Sequence, residues 1–150
     1  MKPRLAFTLV EIVVVICLMT ILIVPFGMLA RYGYRQYCSV AQQADAKTEC
    51  QRASERIFHW LATHPKFRLD PDNHGLTGAD GSRVGWTAKS LLLQQSGRSL
   101  ELLSRPVRDF TVTPRKDGVT LNLCVELSYD SRRPTVLLQE IYDYPRVGAW

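Results

Sequence analysis

The sequence predicts an α+β protein in which one long N-terminal helix precedes an antiparallel β-sheet. Residues 5–30 form an apolar run whose single charged residue is Glu11. Residues 31–64 continue with apolar positions at helical spacing, and from residue 84 onward the period changes to two, which is typical of half-buried strands. These three patterns together predict the fold class.

The apolar run is long enough to cross a bilayer, which takes about 20 residues. We therefore predict residues 7–30 to be the membrane-spanning half of the helix. A carboxylate at the centre of such a span costs about 2.5–3.5 kcal/mol and normally has a partner. Because the run contains no Lys or Arg, the partner of Glu11 is expected to come from outside it.

The second half of the helix, residues 31–64, is predicted to be amphipathic. It contains no proline, and Gly33 is its only glycine. We expect one helix from about residue 7 to residue 64, roughly 85 Å long, with a kink or local loosening at Pro25. Its buried stripe is predicted to consist of Ala46, Cys50, Ala53, Ile57, Trp60 and Leu61.

Residues 65–83 are predicted to be a loop, because Pro65 ends the helix and Gly, Asp, Asn and Pro are frequent there. The segment from Asp70 to Gly75 resembles a calcium-binding loop. His74 replaces an expected Asp or Asn, and Gly81 stands where the bidentate Glu is required. We therefore interpret the segment as a solvated loop.

Four or five strands are predicted after this loop. Residues 90–95 and 99–103 flank a Ser-Gly-Arg turn at 96–98 and indicate a hairpin. A further strand is expected at 107–113, and residues 119–130 alternate most regularly between apolar and polar side chains. The last strand is predicted at 135–142, and the tail from Tyr144 to Trp150 is left unassigned. Residues 65–150 should form one globular domain with 31–64.

Composition gives little sign of enzymatic chemistry. His59, His64 and His74 share no metal-ligand spacing with the cysteines, and neither a Gly-rich phosphate loop nor a G-x-S-x-G elbow is present. We predict no catalytic residues, no metal and no cofactor. The net charge of +5 is weak evidence for nucleic-acid binding. Basic residues that are expected in turns are Arg115, Lys116, Arg132 and Arg133.

The four cysteines leave disulfide pairing open. Cys17 lies in the apolar run and is expected to pack as an apolar side chain. On one helix, Cys38 and Cys50 would be roughly 18 Å apart, beyond disulfide reach. A bridge would have to join Cys124 to one of these two.

The N-terminus resembles the type IV prepilins and type II secretion pseudopilins. The resemblance rests on the basic leader at residues 1–6, the sequence Phe-Thr-Leu-Val-Glu at 7–11 and the apolar helix after it. It implies a pilin-like fold, cleavage between Ala6 and Phe7 by a prepilin peptidase, and N-methylation of Phe7. It also implies that Glu11 pairs with the Phe7 amine of a neighbouring subunit. Ala6 stands where the family usually has Gly, which puts cleavage efficiency in question.

This resemblance implies a minor pseudopilin or pilin-like subunit of a type II secretion pseudopilus or type IV pilus. Residues 102–129 also weakly resemble the J-type minor pseudopilins. The implied partners are prepilin peptidase, other pilin or pseudopilin subunits, an inner-membrane assembly platform and membrane lipid, rather than nucleic acid. The implied location is the inner membrane, crossed once, with a cytoplasmic N-terminus and an extracytoplasmic C-terminal domain.

Three alternatives remain open from the sequence. The apolar run is longer than the h-region of a secretory signal peptide, and residues 28–30 offer only a weak cleavage site. An ordinary single-pass anchor is the second alternative, and the flanking charges do not define its orientation. The third is a pilus-tip module that binds DNA during uptake or adheres to another ligand. The charges flanking the run are Lys2 and Arg4 before it and Arg31 and Arg35 after it.

Overall fold

The computed structural model describes residues 8–87, 90–116, 118–127 and 136–145. They form one helix and eight strands. The chain divides into two compact units, Met1–Val40 and Ala41–Trp150. The helix α1, Leu9–Thr63, contributes residues to both units, and its bounds agree with the predicted long helix.

In the first unit, α1 exposes its apolar side chains. Leu9 is 80% and Phe26 76% exposed, and the large hydrophobic residues between them are at least 49% exposed. Pro25 lies inside α1, which continues beyond it, and the predicted kink stays a prediction. The aromatic residues after the apolar run, Tyr32, Tyr34 and Tyr37, are also exposed.

In the second unit, α1 buries the stripe that the sequence predicts. All six stripe residues are buried, and Ser54 is buried beside them. The hydroxyl of Ser54 donates to the carbonyl of Gln51 at 2.8 Å, so its burial leaves no polar atom unpaired. The buried face of this half of the helix is therefore narrow. Its residues are small at the start of the stripe and larger toward the end of the helix.

A five-stranded antiparallel sheet follows the helix, with its strands in sequence order. Its first three strands occupy or enter residues 65–83, so the prediction of a loop there was wrong. The strands are short, and turn-forming residues separate them, so the sequence shows no regular pattern of burial there. Two of their apolar side chains, Leu76 and Val84, are nevertheless fully buried. The strands are β1 (Phe67–Leu69), β2 (Gly75–Gly78), β3 (Arg83–Thr87), β4 (Ser90–Gln95) and β5 (Arg98–Glu101).

The β4–β5 hairpin is confirmed, with a tighter turn than predicted. Gln95 pairs with Arg98, so the turn has two central residues and Arg98 belongs to β5. Ser96 and Gly97 have φ of 51° and 77°, the left-handed pair that matches strand twist in a two-residue hairpin.

A separate three-stranded antiparallel sheet contains β6 (Val107–Arg115), β7 (Gly118–Leu127) and β8 (Val136–Pro145). The prediction of one sheet with four or five strands was therefore too simple. The predicted alternation in β7 is confirmed, since its inward side chains are buried. β8 continues three residues beyond the predicted end, because Tyr144 pairs with Val119 and stacks on Phe58 with ring centroids 4.9 Å apart. Residue 135, residues 128–130 and the tail from 146 lie outside the described residues.

Both sheets and the second half of α1 share one hydrophobic core. Its members include Ile57 and Trp60 from the helix, Leu91 from the first sheet, and Phe110 and Leu121 from the second. The second unit is thus an α+β domain in which the helix stripe packs with two antiparallel sheets.

Candidate functional site

The first turn of α1 contains the candidate assembly residue, Glu11. Its carboxylate accepts hydrogen bonds from the backbone N–H of Thr8 at 2.9 Å and from the Thr8 hydroxyl at 3.1 Å. The Thr8 hydroxyl oxygen lies 3.4 Å from the Glu11 backbone nitrogen, which donates to it. These reciprocal contacts form a capping box. Glu11 therefore has a structural role in its own chain that the sequence reasoning missed, although Thr-x-x-Glu is its signal.

The predicted cleavage and methylation residues, Ala6 and Phe7, lie outside the described residues. The structure thus places one of the three predicted site residues, Glu11, and its carboxylate is exposed at the start of the helix. A carboxylate there also interacts favourably with the positive end of the helix dipole.

The apolar part of α1 is a candidate single membrane span. α1 is long and apolar enough to cross a bilayer, and an apolar 18-residue window near its N-terminal end contains no buried residue. The hydroxyl of Thr20 donates to the carbonyl of Ile16 at 2.8 Å, which satisfies this polar group within the helix. The exposed surface is consequently suited to contact with lipid or with other apolar helices.

The segment that resembles a calcium loop is a turn between β1 and β2. The N–H of Asp70 donates to the carbonyl of Gly75 at 3.0 Å. The Asp70 carboxylate accepts from Arg83 Nη2 at 2.7 Å and from the Thr77 hydroxyl at 3.1 Å. The carboxylate oxygens of Asp70 therefore bind side chains of β2 and β3 and stabilise the sheet. Within the described ranges no group of three or more Asp, Glu, His or Cys residues is placed to hold a metal ion.

The basic turns and the cysteines provide no further site among the described residues. Arg115 forms an ion pair with Asp143 at 3.5 Å, and Arg132 and Arg133 lie outside the described residues. All four cysteines are free, so neither pairing of Cys124 is present. Burial raises the pKa of the Cys50 thiol to about 11, which keeps it protonated and unreactive near neutral pH.

A hydrogen-bonded network joins the end of α1 to the β2–β3 turn. Asp80 Oδ1 accepts from the Ser82 hydroxyl at 2.6 Å and from the Ser82 N–H at 3.0 Å. Asp80 Oδ2 lies 3.1 Å from His64 Nε2, and Trp60 Nε1 donates to the Ser82 hydroxyl at 3.0 Å. Ser82 is only 3% exposed, and its hydroxyl bonds to the carboxylate rather than to the imidazole. The arrangement ties the helix to the sheet and does not activate a nucleophile.

We predict that this network stabilises the second unit in a pH-dependent way. Hydrogen bonds from Ser82, assisted by His64, lower the pKa of Asp80 from 3.8 to about 2. A carboxyl whose pKa is lower in the folded state stabilises above its unfolded pKa, and loses that contribution as pH falls through the folded value. Asp80→Asn should therefore reduce stability at pH 7, with the deficit shrinking between about pH 4 and pH 2.

Urea unfolding of a chain beginning at Arg31, measured from pH 2 to pH 7, would test this prediction. Asp45→Asn is the matched control, because Asp45 is an exposed carboxylate on α1. A deficit for Asp80→Asn that stays constant down to pH 2 would contradict the assigned role.

A groove beside the end of α1 was not anticipated from the sequence. It has a volume of about 770 Å³ and lies between the helix and the β4–β5 hairpin. Arg52, Arg56 and His59 line the helix side, and Leu93 and Leu100 line the hairpin side. The spacing of the three helix residues, four and then three apart, was the available signal, because such residues share one helix face.

No protein-family model, curated protein or solved structure matches this chain.

Proposed function

We propose that this protein is a minor pseudopilin or pilin-like subunit of a type II secretion pseudopilus or type IV pilus. A prepilin peptidase removes residues 1–6, and the new N-terminal residue, Phe7, is methylated. The subunit waits in the inner membrane with its second unit on the extracytoplasmic side, and is then packed helix to helix into a filament.

The observation that carries this proposal is the composition of α1 along its length. One continuous helix of 55 residues begins with the Thr8–Glu11 turn, exposes an apolar first half, and then buries a stripe in an α+β unit. An exposed apolar half with a carboxylate near its start suits a subunit that is stored in lipid and later packed against other helices. The pilin-like character of the α+β fold is part of the same proposal.

A signal peptide or a simple anchor explains these features less well. A signal peptide would be removed, whereas α1 continues from the apolar run into the core of the second unit without a break. A simple anchor accounts for Glu11 as a helix cap, but it does not account for the prepilin-like sequence of residues 1–11 as a whole. The DNA-binding alternative gains no support from Arg115, because Asp143 already pairs with it.

Processing provides the test. Co-expression with a prepilin peptidase should produce a chain that begins at methylated Phe7, as measured by intact mass and N-terminal peptide analysis. Ala6→Gly should be cleaved at least as efficiently, and Ala6→Trp should remain uncut. A wild-type chain that stays intact, or one that is cleaved after Ala30, would overturn the proposal.

A further inference from the structure

We propose that the groove beside the end of α1 binds an extended segment of a partner protein in which acidic and apolar residues alternate. The groove belongs entirely to the second unit, and this inference does not depend on the proposed function. We define the groove as the space lined by the helix residues Arg52, Arg56 and His59 and the hairpin residues Leu93 and Leu100.

The helix side of the groove presents an excess of positive charge. Arg52 and Arg56 are exposed, and neither forms a salt bridge with any residue in the described ranges. Other arginines of this unit do have carboxylate partners, for example Arg83 with Asp70 and Arg105 with Glu49. Glu55 also lines the groove, and its carboxylate accepts from Gln51 at 3.1 Å. One carboxylate therefore faces two guanidinium groups and an imidazole.

The hairpin side of the groove is lined by two leucines, Leu93 and Leu100, and by Gln95 at the end of β4. Leu100 is 50% exposed although it lies on a strand, and Leu93, on the paired strand opposite it, is half-buried. An apolar wall opposite a row of cations favours a ligand that is itself two-sided. A purely anionic ligand would leave the leucines in water, and a purely apolar one would leave the arginines without carboxylates.

The spacing of the cations fits an extended chain. Arg52 and Arg56 are four residues apart on α1, which corresponds to a rise of about 6 Å. Alternate side chains on one side of an extended strand are about 6.6 Å apart. Two acidic residues separated by one apolar residue can therefore contact both arginines, while the apolar residues between and beside them point to the leucine wall.

A protein segment fits these features better than an anionic membrane surface, because the apolar wall lies inside a groove rather than on a protruding face. A second copy of this chain is also disfavoured by charge, since the protein carries a net charge of +5, which becomes +3 when Lys2 and Arg4 are removed with residues 1–6.

A displayed library of random dodecapeptides, selected on the full chain in nanodiscs, would test the proposal. Peptides enriched on the wild type should alternate Asp or Glu with Leu, Ile, Val or Phe. Arg52→Glu/Arg56→Glu should weaken their binding at least about tenfold, and so should raising the salt concentration, because exposed charge pairs are screened. Leu100→Ser should weaken binding while leaving the salt dependence in place.

The matched control is Lys66→Glu/Arg68→Glu, which makes the same change of charge at two exposed positions, one just before β1 and one within it. This chain should bind the selected peptides as the wild type does. Peptides without acidic enrichment, failure to enrich any peptide, or equal binding by the Arg52→Glu/Arg56→Glu chain would overturn the proposal. So would self-association, or binding to anionic vesicles, that depends on the same two arginines while peptide binding does not.

Discussion

Glu11→Gln and Glu11→Val chains are both expected to insert in the membrane and to be cleaved, and both are expected to lose incorporation into filaments. The two substitutions separate the capping contacts that Glu11 makes with Thr8 from its proposed role in assembly. Glutamine retains a side-chain oxygen that can accept from the Thr8 N–H, as a capping box allows, but it has no charge. Valine removes the charge and the side-chain contacts with Thr8, while the backbone N–H of residue 11 can still donate to the Thr8 hydroxyl.

The expected magnitudes distinguish these roles. Loss of a helix cap costs typically about 1 kcal/mol, and in the wild type the contacts at stake are those with Thr8 at 2.9 Å and 3.1 Å. In the proposed filament, Glu11 instead pairs with the Phe7 amine of a neighbour in an apolar environment. Leaving one partner of such a desolvated pair alone costs about 3–5 kcal/mol, which is roughly a hundredfold or more in an association equilibrium.

Crosslinking to the other prepilins, together with the fraction of chain recovered in sheared filaments, would measure the effect. If the charge determines assembly, Glu11→Gln should fail nearly as completely as Glu11→Val. Wild-type yields for Glu11→Gln and reduced yields for Glu11→Val would mean that the cap, and not the charge, is what assembly requires. The matched control is Thr8→Ala, which removes the hydroxyl contact to the carboxylate and keeps the charge, and it should assemble.

The periodic patterns of the sequence predicted those helices and strands that bury one face over many residues. The stripe from Ala46 to Leu61 and the alternation in β7 are long. Over such lengths the spacing of apolar residues indicates the secondary structure more strongly than the propensities of individual residues do. The bounds of α1 follow from the same patterns together with Pro65. The apolar run likewise predicted an exposed helix suited to lipid.

The missed features depend on contacts between residues that are distant in sequence. β1, β2 and β3 are only three to five residues long, too short to show a period, and their pairing is fixed partly by Asp70 reaching Arg83. The division into two sheets depends on how the segment after β5 crosses to β6, which no local pattern records. The groove depends on the β4–β5 hairpin lying beside Arg52 and Arg56. The cap formed by Glu11 is an exception, because its partner Thr8 is only three residues away. It was missed because Thr-x-x-Glu overlaps the motif of the family resemblance, and Glu11 was interpreted only as an unpaired charge.

Phe110→Ala is expected to be among the most destabilising single substitutions in the second unit. Phe110 is 1% exposed and belongs to the core shared by the helix and both sheets. Truncating a buried phenylalanine costs about 3–5 kcal/mol, through lost transfer free energy and the cavity left behind. A small domain is stabilised by about 5–15 kcal/mol in total, so this change removes a large share.

Urea unfolding of a chain beginning at Arg31 would measure this effect, with a midpoint lowered by roughly 2 M if the slope is near 2 kcal/mol/M. Ile141→Ala is the matched control: Ile141 also lies in the second sheet but is 60% exposed, and its truncation should cost less than about 1 kcal/mol. Phe110→Leu should fall between them, because it leaves a smaller cavity. The carbonyl of Phe110, which lies 2.6 Å from His74 Nδ1, is retained in every variant, so the loss reports on side-chain packing. A cost below 1 kcal/mol for Phe110→Ala would mean that the two sheets do not depend on a common core, and that each is held against α1 separately.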